Sequence, residues 1–194
     1  MYMAFDHYND ASESSLLIAF ANGDHEAGRV LIIRLTPNAL GQAFRMLQDR
    51  GEAEDVVQEA MLKLWKQAPD WQHGQAQVST WMYRVIANLC MDRFRRRKRG
   101  IDLEDIVDPV DDRPSIAARM QEQSRMQALS EALRSLPDRQ AQAVALRHLE
   151  GLSNPEVAKV METSIEAVES LTARGKRTLA KILVRRKAEL GYDE

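Results

Sequence analysis

Apolar residues recur every three or four positions over most of this chain, and clear alternating β-branched runs are absent. A period near 3.6 puts such positions on one stripe of an α-helix, whereas a half-buried strand needs a period of two. In "EAEDVVQEAMLKLWKQA" the apolar set is Val56, Val57, Ala60, Met61, Leu64 and Trp65. Asp55, Gln58, Glu59, Lys63 and Lys66 take the other side, and Pro69 ends the helix. A longer helix is predicted from about Ser79 to Lys98. Its apolar stripe is Trp81, Val85 and Leu89, flanked by Met82, Ile86 and Cys90; a second stripe, Arg84, Asn88, Asp92 and Arg95, is polar. Upstream, "SESSLLIAFANG" predicts a short helix from Ser12 that Gly23 stops. "TPNALGQAFRMLQDRG" offers Thr36 as N-cap, Pro37 at the first helical position and Gly51 past the end.

Periodicity lapses after Lys98 and returns from about Ala118 to Leu136. The last third is punctuated by caps. Ser135 to Asp138 ("SLPD") resembles a capping signal for a helix that Gly151 stops. Ser153 stands three residues before Glu156, with Pro155 in the first turn, which is a capping box. That helix is brief and ends near Met161. "ETS" then makes a tight turn, and Thr163 or Ser164 caps a longer helix, "IEAVESLTARGKRTLAKILVRRK". Two helices joined by about three residues, the second longer and basic at its far end, have helix-turn-helix spacing. The fold class expected is all-α.

Composition adds little to this until it is taken locally. The 194 residues are 44% hydrophobic and 29% charged, with net charge −2, a globular balance. No apolar run approaches the roughly 20 residues that span a bilayer. The N-terminus lacks a basic start and an apolar core of a secretory signal. A single cysteine, Cys90, excludes an internal disulfide and fits a reducing compartment, so a cytoplasmic location is expected. Locally the charge is segregated. Six of the seven residues from Arg93 to Arg99 are basic, whereas Gly100 to Ala118 hold six acids and one base. The acidic stretch, with Pro109 and Pro114, is a linker candidate.

Two regions could meet nucleic acid. In the last long helix, Ile165, Val168 and Leu171 are expected to face the core. Glu166, Ala167, Ser170 and Arg174 would project outward, followed by Lys176 and Arg177. Seven bases and no acid lie between Leu171 and Lys187. Such a helix can follow phosphates while its N-terminal half reaches base edges; an ordinary solvated amphipathic helix in an αα-hairpin would look similar. The run Arg93 to Arg99 ends a helix that carries Trp81, Tyr83 and Phe94. Rings beside cations suit exposed single-stranded bases, while a buried Trp81 and bases complementing a helix C-terminus are the plainer account. Enzyme chemistry is poorly supported. His7, His25, His73 and His148 are scattered, no metal-ligand spacing or glycine-rich phosphate loop occurs, and Cys90 on an apolar face fits a buried thiol. No cofactor or metal is expected.

In this order the parts resemble a bacterial extracytoplasmic-function (group IV, sigma-70 family) sigma factor, a specificity subunit of RNA polymerase. "EAEDVVQEAMLKLW" looks like the family's core-binding segment, and "VSTWMYRVIANLCMDRFRRRKR" like its −10 and melting segment. "LRSLPDRQAQAVALRHLEGLSNPEVAKVMETSIEAVESLTARGKRTL" looks like its −35 helix-turn-helix. The resemblance implies no catalysis and two helical domains on a flexible acidic linker. These would be a sigma-2-like unit over 12–99 after a flexible N-terminus at 1–11, a linker over 100–122, and a sigma-4-like unit over 123–194. It implies docking on core RNA polymerase through Asp55, Gln58, Glu59 and Lys63. The −10 strand would be held by Trp81, Tyr83, Arg84, Asn88, Arg95, Arg96, Arg97 and Lys98. Asn88 occupies the place of the family's Asn beside the loop that captures a flipped base. The −35 duplex would be read by Ser164, Glu166, Ala167, Ser170, Arg174, Lys176 and Arg177. Promoter DNA and an anti-sigma factor are the further partners implied, in a stress response. The acidic strip, with Asp102, Glu104, Asp105 and Asp108, would occupy a basic channel of the polymerase as a nucleic-acid mimic, or serve as a solvated spacer. Where the family's turn usually carries glycine this chain has Glu162. Its recognition helix reads Glu166 to Ser170 ("EAVES"), which predicts an unusual −35 sequence preference. A helix-turn-helix regulator that binds DNA without polymerase is the alternative; it accounts for residues 135–187 only.

Overall fold

The structure, a computed structural model, describes residues 8, 10–72, 77–98 and 116–186. Residues 1–7 with His7, His73, and the acidic strip as far as residue 115, with Asp102, Glu104, Asp105 and Asp108, lie outside the described residues.

Helix α1 (Glu13–Ala21) starts at Ser12, whose hydroxyl accepts the Ser15 N–H at 3.1 Å, and Gly23 turns the chain at φ +98°. Asp24 then caps α2 (His25–Leu47), accepting from the Glu26 and Ala27 N–H groups at 3.0 and 3.1 Å. The Tyr8 hydroxyl donates to the other oxygen of Asp24; with the two backbone donors it holds this carboxyl below its ordinary range. Here the structure corrects the expected start at Thr36: Pro37 lies inside α2. The reason is the buried row Ala27, Val30, Leu31, Leu35, Ala39, Ala43, Met46 and Leu47, which runs unbroken past the proline. Burying that row offsets the roughly 3 kcal/mol that an interior proline costs. Gly51 likewise lies in the first turn of α3 (Arg50–Gln67), capped by Asp49, and does not end a helix. A short turn at Ala68–Asp70 leads towards α4 (Val78–Lys98). Glu13 of α1 satisfies the start of α4 by accepting the Ser79 N–H at 3.1 Å.

Helix α5 (Ile116–Ser135) begins inside the stretch read as linker. Ser135 does not cap the next helix. Its hydroxyl donates back to the Ala132 carbonyl at 2.7 Å, and α6 (Asp138–Val144) starts after Pro137 without a side-chain cap. The chain continues into a π-helical turn, Ala145–Leu149, in which the Glu150 N–H reaches the Ala145 carbonyl at 3.1 Å. Helix α7 (Asn154–Met161) has the expected capping box, the Ser153 N–H donating to Glu156 at 2.7 Å. Glu162 follows at φ 50°, and α8 (Ile165–Val184) is capped by Ser164.

The chain is all-α, two helical halves, and their apolar faces meet. One buried cluster takes Leu31, Met46, Leu64, Ile86 and Cys90 from the first half together with Leu133, Leu136, Val144 and Leu179 from the second. Ser130 of α5, fully buried, donates to the carbonyl at the end of α2, Met46 O at 3.0 Å. A second cluster sets Ala87 of α4 among Leu146, Val157, Val160, Met161 and Val168.

Candidate nucleic-acid interface

Three faces carry the residues singled out in the sequence. On α3, Asp55, Gln58 and Lys63 are exposed and Glu59 is half-buried, with Lys63 and Glu59 3.4 Å apart. Residues 55, 58, 59, 62, 63 and 66 share one side of a helix. Leu62 stands among them at 59% exposure, a residue the polar pattern hid.

The α4 residues divide. Phe94 is a core side chain, with the Arg134 guanidinium 6.0 Å from its ring centroid, so it offers no stacking face. Trp81 is half-buried and meets Trp71 edge-on at 6.3 Å between centroids. Tyr83 is half-buried against the second cluster, and that burial raises its pKa. Its carbonyl accepts from the buried Gln42 amide at 3.0 Å. Arg97 is drawn to the start of α3, 2.6 Å from Glu52 and 3.4 Å from Asp49, which turns it away from Arg95 and Arg96. Arg96 is exposed; the Lys98 side chain lies outside the described set. Arg84, Asn88, Asp92 and Arg95 do form one polar stripe, but it faces the second half of the chain. Arg84 is paired with Glu162, and Asn88 accepts from the Gln142 amide at 3.0 Å. Arg95 donates to Asp138 at 2.5 Å and to Asp92 at 2.6 Å. The bond to Asp138 raises the Arg95 pKa further. Beside the stripe, Arg45 of α2 makes a forked pair with Glu150, one arm 2.9 Å, and the Glu150 side chain is 1% exposed.

The helix-turn-helix is α7, the Glu162–Ser164 turn and α8. The row that α8 buries is Val168, Thr172, Gly175 and Leu179; Ile165, expected in the core, is exposed, and Leu171 is half-buried. Glu166 and Arg174 are exposed, and Ala167 and Ser170 half-buried, along one side. The Ser164 hydroxyl accepts the Ala167 N–H at 3.2 Å, and Arg174 donates to Ser170 at 2.5 Å. The Glu166 carboxyl is held low by its own backbone N–H and by Ser164, so it is anionic at neutral pH. Arg177 is exposed on this side. Lys176 is not. It lines a cavity of about 250 Å³ with Leu129, Leu133, Val144, His148 and Leu179, on the side turned to α5 and α6. Among the described residues there is no group of three or more metal-ligating side chains, and no helix is long and apolar enough to cross a membrane. Burial raises the Cys90 thiol pKa strongly.

Comparison with known proteins places these faces in context. Residues 31–100 match Sigma-70 region 2 and residues 126–179 match Sigma-70, region 4. The ECF RNA polymerase sigma factor SigM of Mycobacterium tuberculosis is 30% identical over 182 residues, covering 93% of this chain and 89% of SigM. The RNA polymerase sigma-H factor of Pseudomonas aeruginosa is 25% identical, covering 88% and 93%. Among solved structures, CnrH in complex with the cytosolic domain of CnrY superposes with a TM-score of 0.63 at 26% identity, covering 89% of this chain and 97% of CnrH.

Proposed function

The chain belongs to the ECF sigma factors of the sigma-70 family, and from that membership we propose which of its surfaces does what. It directs promoter-specific initiation by core RNA polymerase, and the finer assignment is to group IV, acting in the cytoplasm without catalysis of its own. The α3 face with Asp55, Gln58, Glu59, Leu62 and Lys63 docks on the polymerase. An exposed leucine ringed by charged groups is the composition of a small protein-docking face. The α4 stripe with Arg84, Asn88 and Arg95, helped by Arg96, holds the unwound −10 strand, and Trp81 and Tyr83 brace that helix. On α8 the side with Glu166, Ala167, Ser170, Arg174 and Arg177 reads the −35 duplex. A carboxylate in the major groove is favourable only where it accepts from a cytosine amino group, so Glu166 selects for cytosine. CnrH was solved with the cytosolic domain of CnrY; a comparable anti-sigma partner controls this chain.

The observation that carries this reading is one chain presenting both a polar, arginine-bearing α4 stripe and a helix-turn-helix. The test adds the purified chain to core polymerase and maps transcripts. Promoter-specific start sites are expected, with Asn88→Ala lowering them while association with core persists. Failure to associate with core, or transcripts independent of a −35 element, would overturn it. Tight promoter binding by the chain alone would favour a free-standing regulator.

A further inference from the structure

Lys176 is a base with no task in the reading above. The sequence placed it with the DNA-facing residues of α8, and the structure turns it the other way, onto the cavity between α5, α6 and α8. Leucines 129 and 133 of α5, Val144, Leu149 and Leu179 make the walls of that cavity. Its rim is Lys176 and His148, both exposed. An apolar hollow therefore opens on a cationic edge. The π-helical turn at Ala145–Leu149 builds this shape. In an α-helix, residues five apart point about 140° away from each other. A π-turn takes five residues to close, so Leu149 comes round to the wall that Val144 starts. Single π-turns inside helices recur at functional sites.

The edge has no counter-charge. Among the described residues no acid pairs with Lys176, His148 or the adjacent Arg147, and the charges that His148 feels are those two bases. Helix α5 lends the lining only leucines. Such a site is complementary to an occupant with one anionic end and an apolar body. The volume, about 250 Å³, is below the roughly 300–1,000 Å³ of sites for drug-sized molecules, so the occupant is small. An ammonium and an imidazole offer single donors to the two oxygens of one carboxylate, whereas phosphate recognition favours the arginine fork that the lining lacks.

We propose that this cavity binds a small amphiphilic carboxylate of the medium-chain fatty acid class: the chain lies against Leu129, Leu133, Val144 and Leu179, and the head accepts from Lys176 and His148. The site lies wholly in the second half of the chain. It goes beyond the sigma assignment and does not depend on it.

The test titrates octanoate into the full chain, with affinity read by calorimetry and the site read from the imidazole NMR signals of the histidines. Saturable binding is expected to move the His148 signals and to raise the His148 pKa, because a carboxylate at the edge favours the imidazolium. Octanoate is therefore expected to bind more tightly at about pH 6 than at about pH 8. Octanol, without the charge-assisted hydrogen bonds, and acetate, without the chain, are each expected to bind at least about tenfold more weakly. Lys176→Gln with His148→Gln is expected to weaken octanoate by at least about tenfold. Lys181→Gln, which removes an exposed base from the other side of α8, is expected to stay within about twofold of wild type. Leu129→Trp fills the hollow and is expected to abolish binding. Should that variant fail to fold, the Lys176 and His148 pair, which alters exposed side chains only, decides. Octanol binding as tightly as octanoate, unmoved His148 signals, or wild-type affinity in the Lys176 and His148 variant each overturns the proposal. None of these outcomes bears on promoter-specific transcription with core polymerase, which tests the sigma assignment separately.

Discussion

Gly175 marks the closest approach of α8 to α6. A Cβ there would stand 2.6 Å from Val144 Cγ2 and 3.3 Å from the Gln140 carbonyl. Gly175→Ala gains helix propensity but overpacks the crossing, and a net loss of about 1–3 kcal/mol is expected from the urea midpoint. Val144→Ala in the same chain is expected to recover part of it, since it removes the opposing methyl. His148 makes a second residue-level case. It lies at the mouth of the α5–α6–α8 cavity, where burial, Lys176 and Arg147 lower its pKa below the ordinary value. The unfolded chain therefore takes up a proton at higher pH than the folded one. Stability is expected to fall as pH drops through the ordinary histidine range and to level off below the folded pKa. Thermal melts between about pH 7.5 and about pH 5.5 should show a shallower decline for His148→Gln than for wild type.

Helix α2 shows how an element overrides a local signal. Pro37 is exposed, and it leaves the carbonyl of Ile33 without its helical N–H. Pro37→Ala is expected to raise stability by about 1–3 kcal/mol in urea titrations, provided the alanine meets only solvent. The same override explains what the sequence could and could not disclose. Periods of 3.6 residues were legible because burial imposes them: α3 follows the stripe that Val56 to Trp65 lay down, whereas α4 is rotated from the expected Trp81–Val85–Leu89 stripe, burying its flank Met82, Ile86 and Cys90 most deeply and leaving Trp81 and Val85 half-buried. The Ser153–Glu156 box and the Ser164 cap were legible because each is closed within a few residues. Start signals such as Thr36-Pro37 and Ser135 misled because tertiary burial and a hydrogen bond back into α5 outweigh them. Ile165 misled by its spacing, one turn before the buried row of Val168, Thr172, Gly175 and Leu179. The polar stripe of α4 was visible as a stripe. What it faces was not, because Asp138, Gln142 and Glu162 lie 43 to 78 residues further along the chain than their partners.

At the scale of the whole molecule, the two halves share one buried cluster, and α5 is the helix that joins them. The Ser130 hydroxyl on the α2 terminus and the packing of Leu133 and Leu136 tie α5 to the first half, while Leu129 and Leu133 also line the cavity against α8. A single calorimetric transition is therefore expected, with calorimetric and van't Hoff enthalpies in agreement, rather than two separable ones. Ser130→Ala is expected to shift that transition down as a whole without splitting it, since the α2 carbonyl loses a buried donor worth about 1–3 kcal/mol. The common cluster also sets a demand on any assembly that pulls the molecule open. Peeling the C-terminal helices away would leave Leu133, Leu136 and their α2 neighbours wet, so the host must bring a greasy surface of its own to those places. A promoter-reading half cut loose and grafted elsewhere would carry the same sticky patch with it.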